Sequence, residues 1–180
     1  MLSHMGPGAG RIGEAKLVEA RSGYSHLQMG IHWLVVLMVV VQLIIGDSMT
    51  EMIEAIEDGE PVAGSDALWG TVHYWLGIAI FAVMLLRLAV RLTTGVPPHA
   101  GTQPGWQIAA ANIVHWAFYV VLLAVPVSGL VAYYGIADVG ELHGLSKPLL
   151  ILLIAIHVGA AFYNQFVRKD GTLMRMLRPQ

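Results

Sequence analysis

The sequence predicts an all-α fold: an integral membrane four-helix bundle with both termini cytoplasmic. Two observations predict it. Charged residues make up 12% of the 180-residue chain and hydrophobic residues 56%, with a mean hydropathy of +0.65. That charged share is about half the ~25% of a soluble domain. The charges are also segregated, leaving four stretches without any: 31–46 (IHWLVVLMVVVQLIIG), 68–86 (LWGTVHYWLGIAIFAVMLL), 106–134 and 148–167. A bilayer core of ~30 Å needs about 20 mostly apolar residues at 1.5 Å each. A soluble bundle would carry a polar face along each helix, and the second and fourth stretches have none.

Taken in order, residues 1–21 read as a flexible cytoplasmic segment, Gly-rich at its start, in which His4 is given no role. No cleavable signal peptide is expected, because the first apolar run lies far into the chain and acidic residues follow it. The first span is 31–46, which the uncharged residues 22–30 can extend. In the 47–67 connection Met49, Met52, Ile53 and Ile56 recur at roughly helical spacing, which predicts a short helix on the outer membrane surface. The second span, 68–86, is closed by Arg87 and Arg91. Pro97, Pro98 and Pro104 make 94–105 a helix-breaking inner loop. The third span carries Pro126 in its outer third, where a bundle tolerates a kink. A very short outer connection, 135–142, leads to the fourth span. The transmembrane domain is thus 22–177, and 178–180 is a C-terminal tail.

Orientation follows from the basic residues. Arg11, Lys16, Arg21, Arg87, Arg91, Arg168, Lys169, Arg175 and Arg178 all fall on one side, and Lys147 alone on the other. The Lys147 side holds nine of the twelve acidic residues: Asp47, Glu51, Glu54, Glu57, Asp58, Glu60, Asp66, Asp138 and Glu141. The outer face is therefore anionic. A net charge of −2 and a pI near 6.4 argue against a nucleic-acid partner. The absence of cysteine excludes disulfides, thiolate zinc, iron–sulfur clusters, cysteine nucleophiles and thioether-linked haem.

Chemistry enters through histidine. His26 and His99 lie at the edge of the spans or outside them, while His32, His73, His115, His143 and His157 lie in the membrane or at its lips. A lone membrane histidine is as often a helix–helix hydrogen-bonder, but five in one small bundle exceed that reading. His143 and His157 are 14 residues apart, nearly four turns, so they share one helix face about 21 Å apart. That is too far for one metal and suits two centres stacked across the core. Matching depth along the helices pairs His73 with His143 near the outer surface, and His32 with His157 about 20 Å deeper. His115, also in the inner half, rivals His32 for the inner pair. Two imidazoles on an apolar bundle are the axial ligands of haem iron, saturating it for electron transfer. A non-haem metal would need three or more clustered ligands. Gly77, one turn after His73, leaves room for a flat ring or simply for close helix packing. Arg87 and Arg91 at the inner end of the second span are candidates to hold haem propionates or simply mark topology.

The residues also carry a resemblance. Tyr24-Ser25-His26-Leu27-Gln28 leads to Ile31-His32-Trp33. Val72-His73 is followed by Gly77, and the Arg87 and Arg91 pair by Pro97-Pro98. His115 precedes Ala124-Val125-Pro126 and Gly129-Leu130. The His143 and His157 spacing is followed by Lys169-Asp170, Thr172-Leu173 and Arg175-Met176. In order and spacing these resemble the bacterial cytochrome b561 proteins. The resemblance implies a multi-pass cytochrome of the bacterial inner membrane with two haem b groups and membrane quinone as substrate. It puts His32, His73, His143 and His157 on haem-ligand positions and His115 on a non-axial histidine. Quinone contacts are then expected from His115, Ser25 and Gln28 at the inner lip.

The family's best-known activity is superoxide oxidation at the outer face coupled to quinone reduction inside. Here Lys147 is the only outer cation able to steer an anion, against nine carboxylates. Asn164 and Gln165 stand where relatives can carry further histidine. Three readings follow: a quinone-linked oxidoreductase with superoxide as a candidate donor, an electron-transfer subunit that docks a soluble basic protein such as a cytochrome c, or a bundle without haem.

Overall fold

The first helix begins where Ser25 can cap it. Ser25 Oγ accepts from the Gln28 N–H at 3.2 Å, and Gln28 Oε1 accepts from the Ser25 N–H at 3.0 Å, a reciprocal capping box. In this computed structural model, which describes residues 23–98 and 103–178, α1 then runs unbroken over His26–Glu57. His4, Arg11, Lys16, Arg21, His99 and the 1–21 segment lie outside the described residues.

Three more long helices follow: α2 (Gly64–Thr94), α3 (Gly105–Tyr133) and α4 (Gly140–Phe162). A π-helical turn over Tyr163–Val167 and a 3₁₀ turn over Met174–Met176 complete the chain, and no strand occurs among the described residues. Gly95, at φ 72°, stops α2 ahead of Pro97 and Pro98. Gly135, at φ 62°, stops α3, with the Ile136 N–H returning to the Val131 carbonyl. α4 begins before the apolar stretch does and carries Pro148 inside it; the missing N–H there would have bonded the carbonyl of Gly144, which has open space beside it. All four helices are long and apolar enough to cross a membrane.

One expectation is corrected. Residues 47–57 do not form a separate surface helix; they are the last turns of α1. At 32 residues α1 is about 48 Å long and outruns a ~30 Å core. Continuing the helix keeps its backbone hydrogen bonds and lets Met52 pack against α2. A Cβ on Gly70 would stand 2.9 Å from the Met52 sulfur.

The helices pack as two hairpins, α1 with α2 and α3 with α4, joined along α2 and α3. The α1–α2 and α3–α4 connections lie at one end, which carries every acidic residue among the described ones except Asp170; the C-terminal ends of α2 and of the chain lie at the other, basic end. The buried core is a thin middle layer of Ile31, Val35 and Val39 from α1, Ile80 and Met84 from α2, Tyr119 and Leu122 from α3, and Leu150 from α4. Far more large apolar side chains face outward than lie in that core, Ile44 at 72% and Leu37 at 62% exposure among them. Water would not tolerate such a surface, whereas lipid does.

Candidate functional site

Leu150 lies in the core, seven residues from His143 and seven from His157. The buried layer therefore separates two histidine sites along α4. Toward the acidic end, His143 of α4 faces His73 of α2, with ring centroids 6.1 Å apart. Toward the basic end, His157 faces His32 of α1 at 6.4 Å. Both pairs span helices that make little direct contact, α2 with α4 and α1 with α4. His115 of α3 joins the second site, its ring 5.2 Å from that of His157, and Phe118 packs on the same ring at 5.5 Å. The basic-end site thus holds three imidazoles and the acidic-end site two.

These distances can be set against a haem. A metal–imidazole bond is about 2.0–2.1 Å and the ring centroid lies roughly 1.1 Å behind the nitrogen, so imidazoles on opposite faces of one iron have centroids about 6.3 Å apart. Both pairs match that spacing. Among the described residues no three His, Asp or Glu side chains converge to hold a bare metal ion. A two-imidazole donor set suits a metal whose remaining ligands come from a macrocycle. Gly129 clears one ring, since a Cβ there would lie 2.8 Å from His143 Cε1; a Cβ on Gly46 would make only ordinary contact with His73 Cε1, at 3.7 Å. The residues present fit haem.

One member of the acidic-end pair is oriented from behind. His143 Nδ1 lies 3.0 Å from the Val125 carbonyl and 3.2 Å from Ser128 Oγ, which itself donates to Val125 O. A carbonyl only accepts, so Nδ1 carries the proton and Nε2 keeps its lone pair as a ligand atom. Metal-bound histidines are typically held this way. Val125 presents that carbonyl in the turn that Pro126 interrupts.

The basic end also holds Arg87 and Arg91 of α2. Arg87 Nη1 is buried without a hydrogen-bond partner among the described residues, as a guanidinium awaiting a carboxylate would be. Arg91 stacks over Trp116 at 5.6 Å and Tyr119 at 5.7 Å, a cation–π clamp. A small recess beside them is lined by Tyr24, Gln28, Arg87, Arg91, Tyr119 and Met176 among others. The polar groups of Ser25 and Gln28 are engaged elsewhere, in the capping box. Gln28 Nε2 also donates to Thr94 Oγ1 at 3.0 Å and to the Gly95 carbonyl at 2.9 Å, tying α1 to the end of α2.

Lys147, one turn after His143, is salt-bridged to Asp47 of α1, so its charge is already balanced. Three residues that matter here escape a sequence reading. Gly129 and Ser128 act through positions that only the fold brings to His143. Gln42, whose Nε2 donates to the His73 carbonyl at 3.0 Å, did carry a signal: it is the single polar side chain in 34–46.

Known proteins are similar in sequence to this chain. The family model for prokaryotic cytochrome b561 matches residues 23–179. A "Cytochrome b562" of Cereibacter sphaeroides is 32% identical, covering 88% of this chain and 97% of its own. A "Probable superoxide oxidase CybB" of Yersinia pestis is 28% identical over 86% of this chain and 95% of its own. A "Cytochrome b561 homolog 1" of Escherichia coli is 28% identical over 86% of this chain and 96% of its own.

Proposed function

The chain belongs to the prokaryotic cytochrome b561 family, multi-pass bacterial membrane proteins of electron transfer, and on that premise we propose that it links an outer-face electron donor to membrane quinone near the inner face. In this reading His73 and His143 hold one haem b at the acidic, outer end, and His32 and His157 hold a second at the basic, inner end of a bundle in the inner membrane. The observation that carries it is the two imidazole pairs, at 6.1 and 6.4 Å, about 21 Å apart along α4. Bound haem supplies reversible one-electron chemistry at an iron with no open position.

The protein's own groups do the rest. Val125 O and Ser128 hold His143 in its ligand tautomer. Arg87 offers a buried charge to propionates, and the Trp116 and Tyr119 rings hold Arg91 beside it. His115, packed on His157, is the group best placed to hydrogen-bond a quinone carbonyl and pass it a proton; quinone reduction needs such a donor. The cap hydrogen bonds of Ser25 and Gln28 leave those two a lesser part in that contact.

Superoxide is the candidate donor, since a relative is named a probable superoxide oxidase. A second reading is favoured by the α1 extension, on which Asp47, Glu51, Glu54 and Asp58 are exposed along one side, and by the pairing of Lys147 with Asp47. Such a surface attracts a basic soluble redox protein.

Stopped-flow reduction of the purified holoprotein with superoxide, a basic cytochrome and quinol separates these readings from a haem-free bundle. A His115→Phe variant is expected to keep both haem spectra and to slow quinol exchange about tenfold or more, the scale of losing a general acid–base group. Unchanged quinol kinetics would remove His115 from the quinone site.

A further inference from the structure

Gln42 lies on α1 ten residues, about 15 Å, from His32 toward the acidic end. Its Nε2 donates to the main chain of His73 at 3.0 Å. Its Oε1 is buried with no partner among the described residues, and so is His73 Nδ1. The His73 ring lies against α1 one turn beyond Gln42, where a Cβ on Gly46 would be 3.8 Å from Nδ1. An unused acceptor and an unused ring nitrogen are thus both buried between α1 and α2, about one helical turn apart. Buried polar groups are rarely left so. With Gln42 Nε2 held on the His73 carbonyl, the torsion that would join them is the second of His, which is of the soft sp³–sp² kind.

Across the site, His143 already gives its Nδ1 proton to Val125 O. We infer that Gln42 Oε1 is the matching acceptor for His73 Nδ1–H. Gln42 is then a positioning residue that fixes the tautomer presenting His73 Nε2 toward His143 and makes the ring more basic. A more basic axial ligand favours the ferric state and lowers the haem potential. This rests on the reading of His73 and His143 as an axial pair.

The test is potentiometric titration and low-temperature EPR of the purified holoprotein, in wild type, Gln42→Met and Gln42→Glu. Gln42→Met keeps the volume and removes the acceptor. It is expected to raise the midpoint potential of one haem, shift the g values of that low-spin signal and leave the other haem unmoved. Gln42→Glu keeps an oxygen at the same place and is expected to hold that potential at or below the wild-type value. Potentials and g values of Gln42→Met equal to wild type would overturn the inference. Should Gln42→Met lose the haem, Gln42→Glu decides: a retained low-spin haem at or below wild-type potential supports the inference, and a raised potential or a lost haem overturns it. The axial pair itself is judged separately: His73→Ala that keeps both low-spin haems would remove it, whatever the Gln42 variants do.

Discussion

His143 is held by its ring nitrogen and fitted along one edge. Val125 O and Ser128 hold its Nδ1, and the missing Cβ of Gly129 makes space for its ring edge. Gly129→Ala would put a methyl 2.8 Å from Cε1, an overpacking worth about 1–3 kcal/mol that falls on a ring tied by its Nδ1 to Val125 O and Ser128. It is expected to lose one low-spin haem or convert it to high spin, read from the absorption spectrum. Gly70→Ala would make an equally short contact, 2.9 Å, but with the flexible end of Met52, and should keep both haems. The histidines were legible in the sequence because ionisable groups are costly in a membrane and stand out there. Their supports were not. Val125 contributes only a main-chain oxygen, which every residue has, and Gly129 contributes an absence.

At the scale of elements, the four spans were legible from charge-free length, since lipid demands it. The reach of α1 was not, because hydropathy cannot say whether a helix continues past Gly46; the packing of Met52 over Gly70 decides it. The C-terminal segment was equally hidden. After the π-helical turn it folds back across the basic end: Trp33 Nε1 donates to the Met176 carbonyl at 2.9 Å, and Arg175 to the Pro98 carbonyl at 2.8 Å. Asp170 anchors it, accepting from the Thr172 N–H at 2.9 Å and from Gln103 Nε2 at 2.6 Å. Burial opposes the ionisation of Asp170, but the hydrogen bonds from Thr172 and Gln103 and the charge of Arg168 outweigh it and hold the carboxyl below its ordinary value. A depressed folded-state pKa means stability that is present above the unfolded value of about 3.9 and is lost as pH falls through the folded value. The segment 171–178 is therefore expected to lose amide protection, measured against intrinsic exchange at the same pH, below about pH 4, and Asp170→Ala should show that loss of protection already at neutral pH. Hydrogen exchange read by mass spectrometry checks both. Equal protection in variant and wild type at pH 7 would mean that Asp170 does not anchor the segment.

Over the whole molecule the decisive property is charge asymmetry. It was legible in the sequence as counts, but the pairing of Lys147 with Asp47 was not, because the two residues are a hundred positions apart. That pairing leaves the acidic end without a free cation among the described residues. Exposed charges act over a Debye length of ~8 Å at physiological salt. Reduction by a basic cytochrome is therefore expected to slow as salt rises, by about tenfold or more between low and physiological ionic strength. Superoxide oxidation should instead quicken with salt, and Lys147→Glu should slow it further. Superoxide rates near the diffusion limit that ignore both salt and Lys147→Glu would mean that the anionic face does not govern access.

Two imidazole pairs holding two haems are the core of the proposed function, which the haem-to-protein ratio and the low-spin EPR signals test directly. It predicts two haem b per purified chain and two low-spin signals. His73→Ala or His143→Ala should remove one signal, His32→Ala or His157→Ala should remove the other, and His115→Ala should keep both. One haem per chain would contradict it, as would loss of a haem in His115→Ala with both retained in His32→Ala.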